Sequence, residues 1–229
     1  MNGGKYETTH THSPAYVVTL RHLQSYLLHK NSESMKQSFI FLAEGFELIE
    51  AMTPVDVMRR AGLDVKTVSI TSSRAVKSAQ EVSVNADLIF DPTLFKNPAW
   101  LILPGGMPGA TNLYEFAPLA GLLKNQMNSA DGRIAAICAA PAVVLGQLGL
   151  LKGRSATCYP GFEHLLTGAK FTDAPVVCDD KFVLGNGPAN ALNWALEIVS
   201  QTLGRTPAEH VAGGMLAFRN CNEIENYFG

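Results

Sequence analysis

From Ser38 onward the chain alternates apolar runs of strand length with longer stretches whose apolar residues recur at helical spacing, and this alternation constrains the fold most. Strands separated by helices cannot close as simple hairpins, so they lie side by side in a mostly parallel sheet with helices on both faces. The spacing predicts a strand over 38–43, a helix over 47–61 with Leu48, Met52, Val55 and Met58 near one face, and a second strand over 65–70. Gly62 stands where a left-handed helix cap is wanted. Residues 76–98 are less regular, with Val82 to Val84 and Leu88 to Phe90 as short strands. Strands over 100–103 and 133–137 follow, each with a helix behind it, over 113–128 and 141–148. A strand over 155–158, a hairpin turning at Asp179, Asp180 and Lys181, and helices over 190–203 and 207–218 complete the pattern.

With 229 residues, 47% hydrophobic and 17% charged, the chain can bury a substantial core and fits one domain more easily than two. Residues 1–34 differ in character: they hold four of the six histidines (His10, His12, His22 and His29) without a clear apolar period, and read as an extension before a domain over 35–229. A histidine-rich composition does not make a metal site unless the ligands converge, so no metal is expected, and no cofactor.

The net charge of -2, with 18 basic residues not gathered into a run, argues against nucleic acid as a partner. The longest apolar stretch, 134–146, spans 13 residues with Pro141 inside it, against the roughly 20 needed to cross a bilayer, so no membrane span is expected. The apolar residues 16–20 are interrupted by Arg21 and His22 with no small-residue cleavage site behind them, which argues against a secretory signal. Four cysteines without a C-x-x-C pair suit a reducing, cytoplasmic compartment.

Chemistry concentrates at the strand-to-helix junctions. The run from Arg133 to Ile137 leads straight into Cys138, Ala139, Ala140 and Pro141, so Cys138 occupies a sharp turn over the carboxyl edge of the sheet, where open α/β folds bind ligands. Pro141 suits a first helical turn, and the free amides there would lower the thiol pKa. By spacing alone Cys138 reads equally well as a small buried hydrophobe. Leu103, Pro104, Gly105 and Gly106 end another strand, where backbone amides could hold an oxyanion or simply form a tight turn. Glu44, Glu47 and Glu50 follow the first strand; a carboxyl buried near Cys138 would share a proton with it, whereas acids in a first helical turn otherwise need only the dipole.

These motifs, in this order and together with Gly187-Pro188, resemble the DJ-one/ThiJ/PfpI superfamily over residues 38–218, and within it the DJ-one branch with its bacterial ThiJ or deglycase-like members. The resemblance implies a flavodoxin-like fold and a homodimer, for which the helix face near Met52, Val55 and Met58 is a candidate surface. It implies that Cys138 is the oxidisable, nucleophilic cysteine, that Glu50 shares a proton with it, and that Gly105, Gly106 and Ala139 line the pocket through their backbones.

Two departures narrow the activity. Ala139 follows the cysteine where the peptidase-like branch carries histidine, and neither His164 nor His210 opens the His-x-Glu pair of class I glutamine amidotransferases, so protease and amidotransferase activities are disfavoured. Tyr159 stands where human-type members carry a histidine; His164 could substitute, and Cys158 could serve as a resolving thiol or be an ordinary buried cysteine. Two functions of different class are compatible with this set. One is a glutathione-independent glyoxalase or deglycase acting on small reactive carbonyls or glycated substrates through Cys138 and Glu50. The other is a redox-sensing or chaperone-like stress protein in which Cys138 oxidises to a sulfinate.

Overall fold

The structure is a computed structural model and describes residues 36–217. The histidine-rich stretch, Cys221 and the end of the last predicted helix lie outside the described residues. In chain order the strands are β1 (Ser38–Leu42), β2 (Val65–Ser69), β3 (Ala75–Lys77), β4 (Ser83–Asn85), β5 (Leu88–Ile89), β6 (Trp100–Leu103), β7 (Arg133–Ile137), β8 (Ser155–Ala156), β9 (Lys170–Phe171), β10 (Val176–Cys178) and β11 (Phe182–Gly185). Seven of them form the central sheet in the order β10-β11-β7-β6-β1-β2-β5. All its neighbouring pairs are parallel except β10 with β11, the predicted hairpin. β3 and β4 form a separate antiparallel hairpin, and β8 pairs with β9.

The helices are α1 (Leu48–Arg60), α2 (Gly109–Glu115), α3 (Ala117–Asn128), α4 (Ala191–Leu203) and α5 (Arg205–Gly214). Strand residues of odd and even number face opposite sides, as the pleat requires. Phe39, Phe41, Leu101, Leu103, Ile134 and Ala136 pack with Leu113 of α2 and with Leu119 and Leu123 of α3 in one core layer. On the other side α1 and α4 pack together over the sheet, and the fully buried Trp194 ties α4 to β11 by donating to the Val183 carbonyl at 2.9 Å. Of the residues on the helix face suggested as a dimer surface, Val55 and Met58 are buried within this one chain, whereas Met52 is partly exposed.

Three elements differ from expectation. The helix predicted over 113–128 is two helices broken at Phe116, because Pro118 offers no N–H and its ring would strike the carbonyl four residues back; Pro118 sits instead in the first turn of α3. The helix after Cys138 is a wide π-type turn over Pro141–Gly146, with Gln147 N–H reaching the Ala142 carbonyl and Leu150 N–H the Leu145 carbonyl. The strand over 155–158 pairs only at Ser155–Ala156. No helix among the described residues is long and apolar enough to cross a membrane.

Candidate active site

The strand order places the site. From β1 the chain winds outward through β2 to β5, then returns to β6 on the other side of β1 and winds outward again through β7 to β11. The reversal between β1 and β6 opens a crevice at the carboxyl ends of the strands, and ligands bind there in open α/β sheets. Glu50 follows β1, Gly105 and Gly106 follow β6, and Cys138 follows β7.

Cys138 takes a left-handed backbone conformation, φ 63°, which few residues other than glycine adopt. The turn is over-determined: Cys138 N–H donates to the Gly185 carbonyl at 2.9 Å, and its own carbonyl accepts from Tyr159 N–H at 2.8 Å. Cys138 is buried, with 8% of its surface exposed.

Glu50 is fully buried. Its Oε2 accepts from Gly105 N–H at 2.8 Å. The Cys138 thiol also acts on the carboxyl as a donor, although Oε1 makes no bond of full geometry and is the one such buried side-chain oxygen or nitrogen among the described residues. Glycine at 105 is a spatial necessity: a Cβ there would lie 2.7 Å from Cys138 Cβ and 2.8 Å from Glu50 Oε2. At 106 both space and conformation demand glycine, with φ 85° and a notional Cβ 2.4 Å from Glu47 N.

Burial, offset in part by the bonds from Cys138 and Gly105, pushes the Glu50 carboxyl up to about 7. Burial and then the neighbouring Glu50 charge push the Cys138 thiol up to about 12, against the opposing pull of the Gly106 and Ala139 amides. The lowered thiol pKa expected from a helix terminus is therefore not found beside an ionised Glu50; desolvation and that charge outweigh the two amides. A thiolate forms most readily when the proton resides on Glu50, so the two groups titrate as a pair.

Residues 36–201, which contain the cysteine on its strand-to-helix turn, the buried glutamate and the diglycine turn, match a sequence profile described as the DJ-1/PfpI family. The chain belongs to the DJ-1/PfpI family. It is 36% identical over 187 residues to Protein DJ-1 homolog B of Arabidopsis thaliana, covering 81% of this chain but only 42% of that protein. It is 34% identical over 174 residues to the Glutathione-independent glyoxalase DJR-1.2 of Caenorhabditis elegans, covering 75% of this chain and 91% of that one. Among solved structures, oxidized DJ-1 from Toxoplasma gondii superposes with a TM-score of 0.75 at 32% identity, covering 79% of this chain and 98% of that one. The flavodoxin-like architecture of the DJ-1/PfpI family is thus the architecture seen here.

The remaining candidates fall into two groups. The Gly106 and Ala139 amides act on the Cys138 sulfur, and Gly105 lies against the Cys138 Cβ and the Glu50 carboxyl. Tyr159 is joined to Cys138 by its backbone, and its half-exposed ring packs near Phe162. His164 is exposed on a short 3-10 turn, where its charge acts on Glu163 and not on the Cys138–Glu50 pair. Cys158 is buried in the core layer behind the π turn, and burial pushes its thiol up to about 12, an unfavourable state for a resolving thiol. No group of three or more His, Cys, Asp or Glu residues among the described residues converges to hold a metal ion. One participant, Gly185, and the capping role of another, Glu47, escaped the sequence reading. Gly185 accepts the Cys138 N–H from across the sheet, a contact with no local signal, whereas Glu47 caps α1 three residues before Glu50, a spacing that a capping motif could have flagged.

Proposed function

We propose that this protein is a protective, cysteine-dependent enzyme that converts small reactive 2-oxoaldehydes, or early glycation adducts of them, into hydroxy acids without glutathione. The observation that carries the reading is the buried Glu50 carboxyl, held at about 7 beside Cys138, which can give and take a proton near neutrality. In methylglyoxal the Cys138 thiolate adds to the aldehyde carbon, and the alkoxide formed is met by the Gly106 and Ala139 amides that already face the sulfur. Glu50 moves a proton from that carbon to its neighbour through an enediol, leaving a thioester. Water then hydrolyses the thioester to lactate and restores the thiol. The carbon oxidised and the carbon reduced belong to one molecule, so no external oxidant enters. A relative named as a glutathione-independent glyoxalase supports this assignment. The homodimer implied by the resemblance and the cytoplasmic setting expected from the cysteine usage belong to the same proposal.

A second reading, redox sensing, rests on Glu50 Oε1, which has no full partner beside the sulfur. A sulfinate on Cys138 would accept from a protonated Glu50 and from the two amides. Incubation of the protein and its Cys138→Ala and Glu50→Gln variants with methylglyoxal separates the two. Lactate formed only by the unaltered protein is the expected result. No lactate, with a two-oxygen mass gain after mild peroxide that disappears in Cys138→Ala, would replace the enzyme by the sensor.

A further inference from the structure

Glu50 does not hold its place alone. Glu47 occupies the N-cap position of α1, and its Oε2 accepts the Glu50 N–H at 2.7 Å while its carbonyl accepts from Ala51 N–H at 3.1 Å. Its own N–H donates to the Gly105 carbonyl at 3.0 Å, and Gly105 N–H in turn donates to Glu50 Oε2 at 2.8 Å. The first turn of α1 and the diglycine turn after β6 are therefore laced together through one residue. That residue carries a carboxylate close to the carboxyl it positions.

We propose that Glu47 is a positioning residue that shifts the shared proton of the Glu50–Cys138 pair toward Glu50, and so shifts the negative charge toward sulfur. The proposal rests on the pairing of Glu50 with Cys138 and not on any particular substrate. The groups that act on Glu50 are few: Glu47 from its own helix, the Cys138 thiol from the turn after β7, and the uncharged Gly105 amide from the turn after β6. The repulsion between Glu47 and an ionised Glu50 is among the causes that raise the proton affinity of Glu50. No direct action of Glu47 is among the causes that shift Cys138. The influence of Glu47 on the sulfur thus runs through Glu50.

The test is the pH profile of iodoacetamide alkylation at Cys138, followed by peptide mass, in the unaltered protein, Glu47→Gln, Glu50→Gln and the double variant. Glu47→Gln keeps an oxygen to cap the Glu50 amide but removes the charge. Its alkylation midpoint is expected to fall by about half a unit and its plateau rate about threefold, because the remaining proton then sits more often on sulfur. In the Glu50→Gln background the same substitution should change nothing, since the route is gone. A Glu47→Gln profile that superimposes on the unaltered one overturns the proposal. So does an equal effect with and without Glu50. The readout needs no turnover, so the carbonyl reaction can fail while this inference stands, and the reverse.

Discussion

At Glu50 a carboxyl sits where water does not reach it, and the cost of ionising it there falls on the whole fold. The unfolded chain releases this proton near 4.5 and the folded one near 7, so between those values the folded state binds more protons. Stability contributed by the protonated carboxyl is full below about 4.5 and is lost as pH rises through 7, about 3 kcal/mol in all. Glu50→Gln, whose amide oxygen can still accept from Gly105, is expected to be more stable than the unaltered protein at pH 8 and no more stable at pH 4.5. Urea denaturation at the two values checks this, and a pH-independent difference would refute it. Gly105→Ala should act in the opposite direction. Its methyl group meets Cys138, Glu50 and the Ala139 amide at 3.0 Å or less, so a loss of about 1–3 kcal/mol and slower Cys138 alkylation are expected, read by denaturation and by peptide mass.

Among the elements, those with sharp chemical punctuation were readable from sequence: β1, β6 and β7 as continuous apolar runs, and α1 through its period and its Gly62 cap. Cys138 was readable for the same reason, since a strand running directly into a proline-led turn leaves little choice about which residue lies at the junction. Glu50 was not readable as its partner by spacing, because 88 residues and several crossovers separate the two, and only the resemblance joined them. The break at Phe116 was missed because apolar spacing outweighed Pro118 in the reading, although a proline at that place cannot continue a helix. The start of α1 depends on its neighbours as well as on Glu47: Leu48 N–H donates to Gln80 Oε1 at 3.1 Å from the turn between β3 and β4. Gln80→Ala should cost about 1 kcal/mol in thermal or urea denaturation, with Cys138 still alkylated.

At the scale of the molecule, local patterns do not announce strand order; the reversal between β1 and β6 that opens the crevice emerges only when the chain has closed its sheet. We propose that residues 1–34 lie outside this unit, in line with a family match that begins at residue 36. Their deletion is expected to leave the melting temperature and Cys138 alkylation unchanged, and a large fall in either would make them part of the domain. The site residues gather at the carboxyl edge of a parallel sheet, so the turns at the opposite edge, after α1 at Gly62 and between β10 and β11 at Asp180, carry no part of this chemistry. For anyone wishing to watch the protein at work, that far edge is the natural mounting plate: a dye or an immobilising tag at Asp180 would hold the molecule with its crevice turned toward whatever is supplied to it.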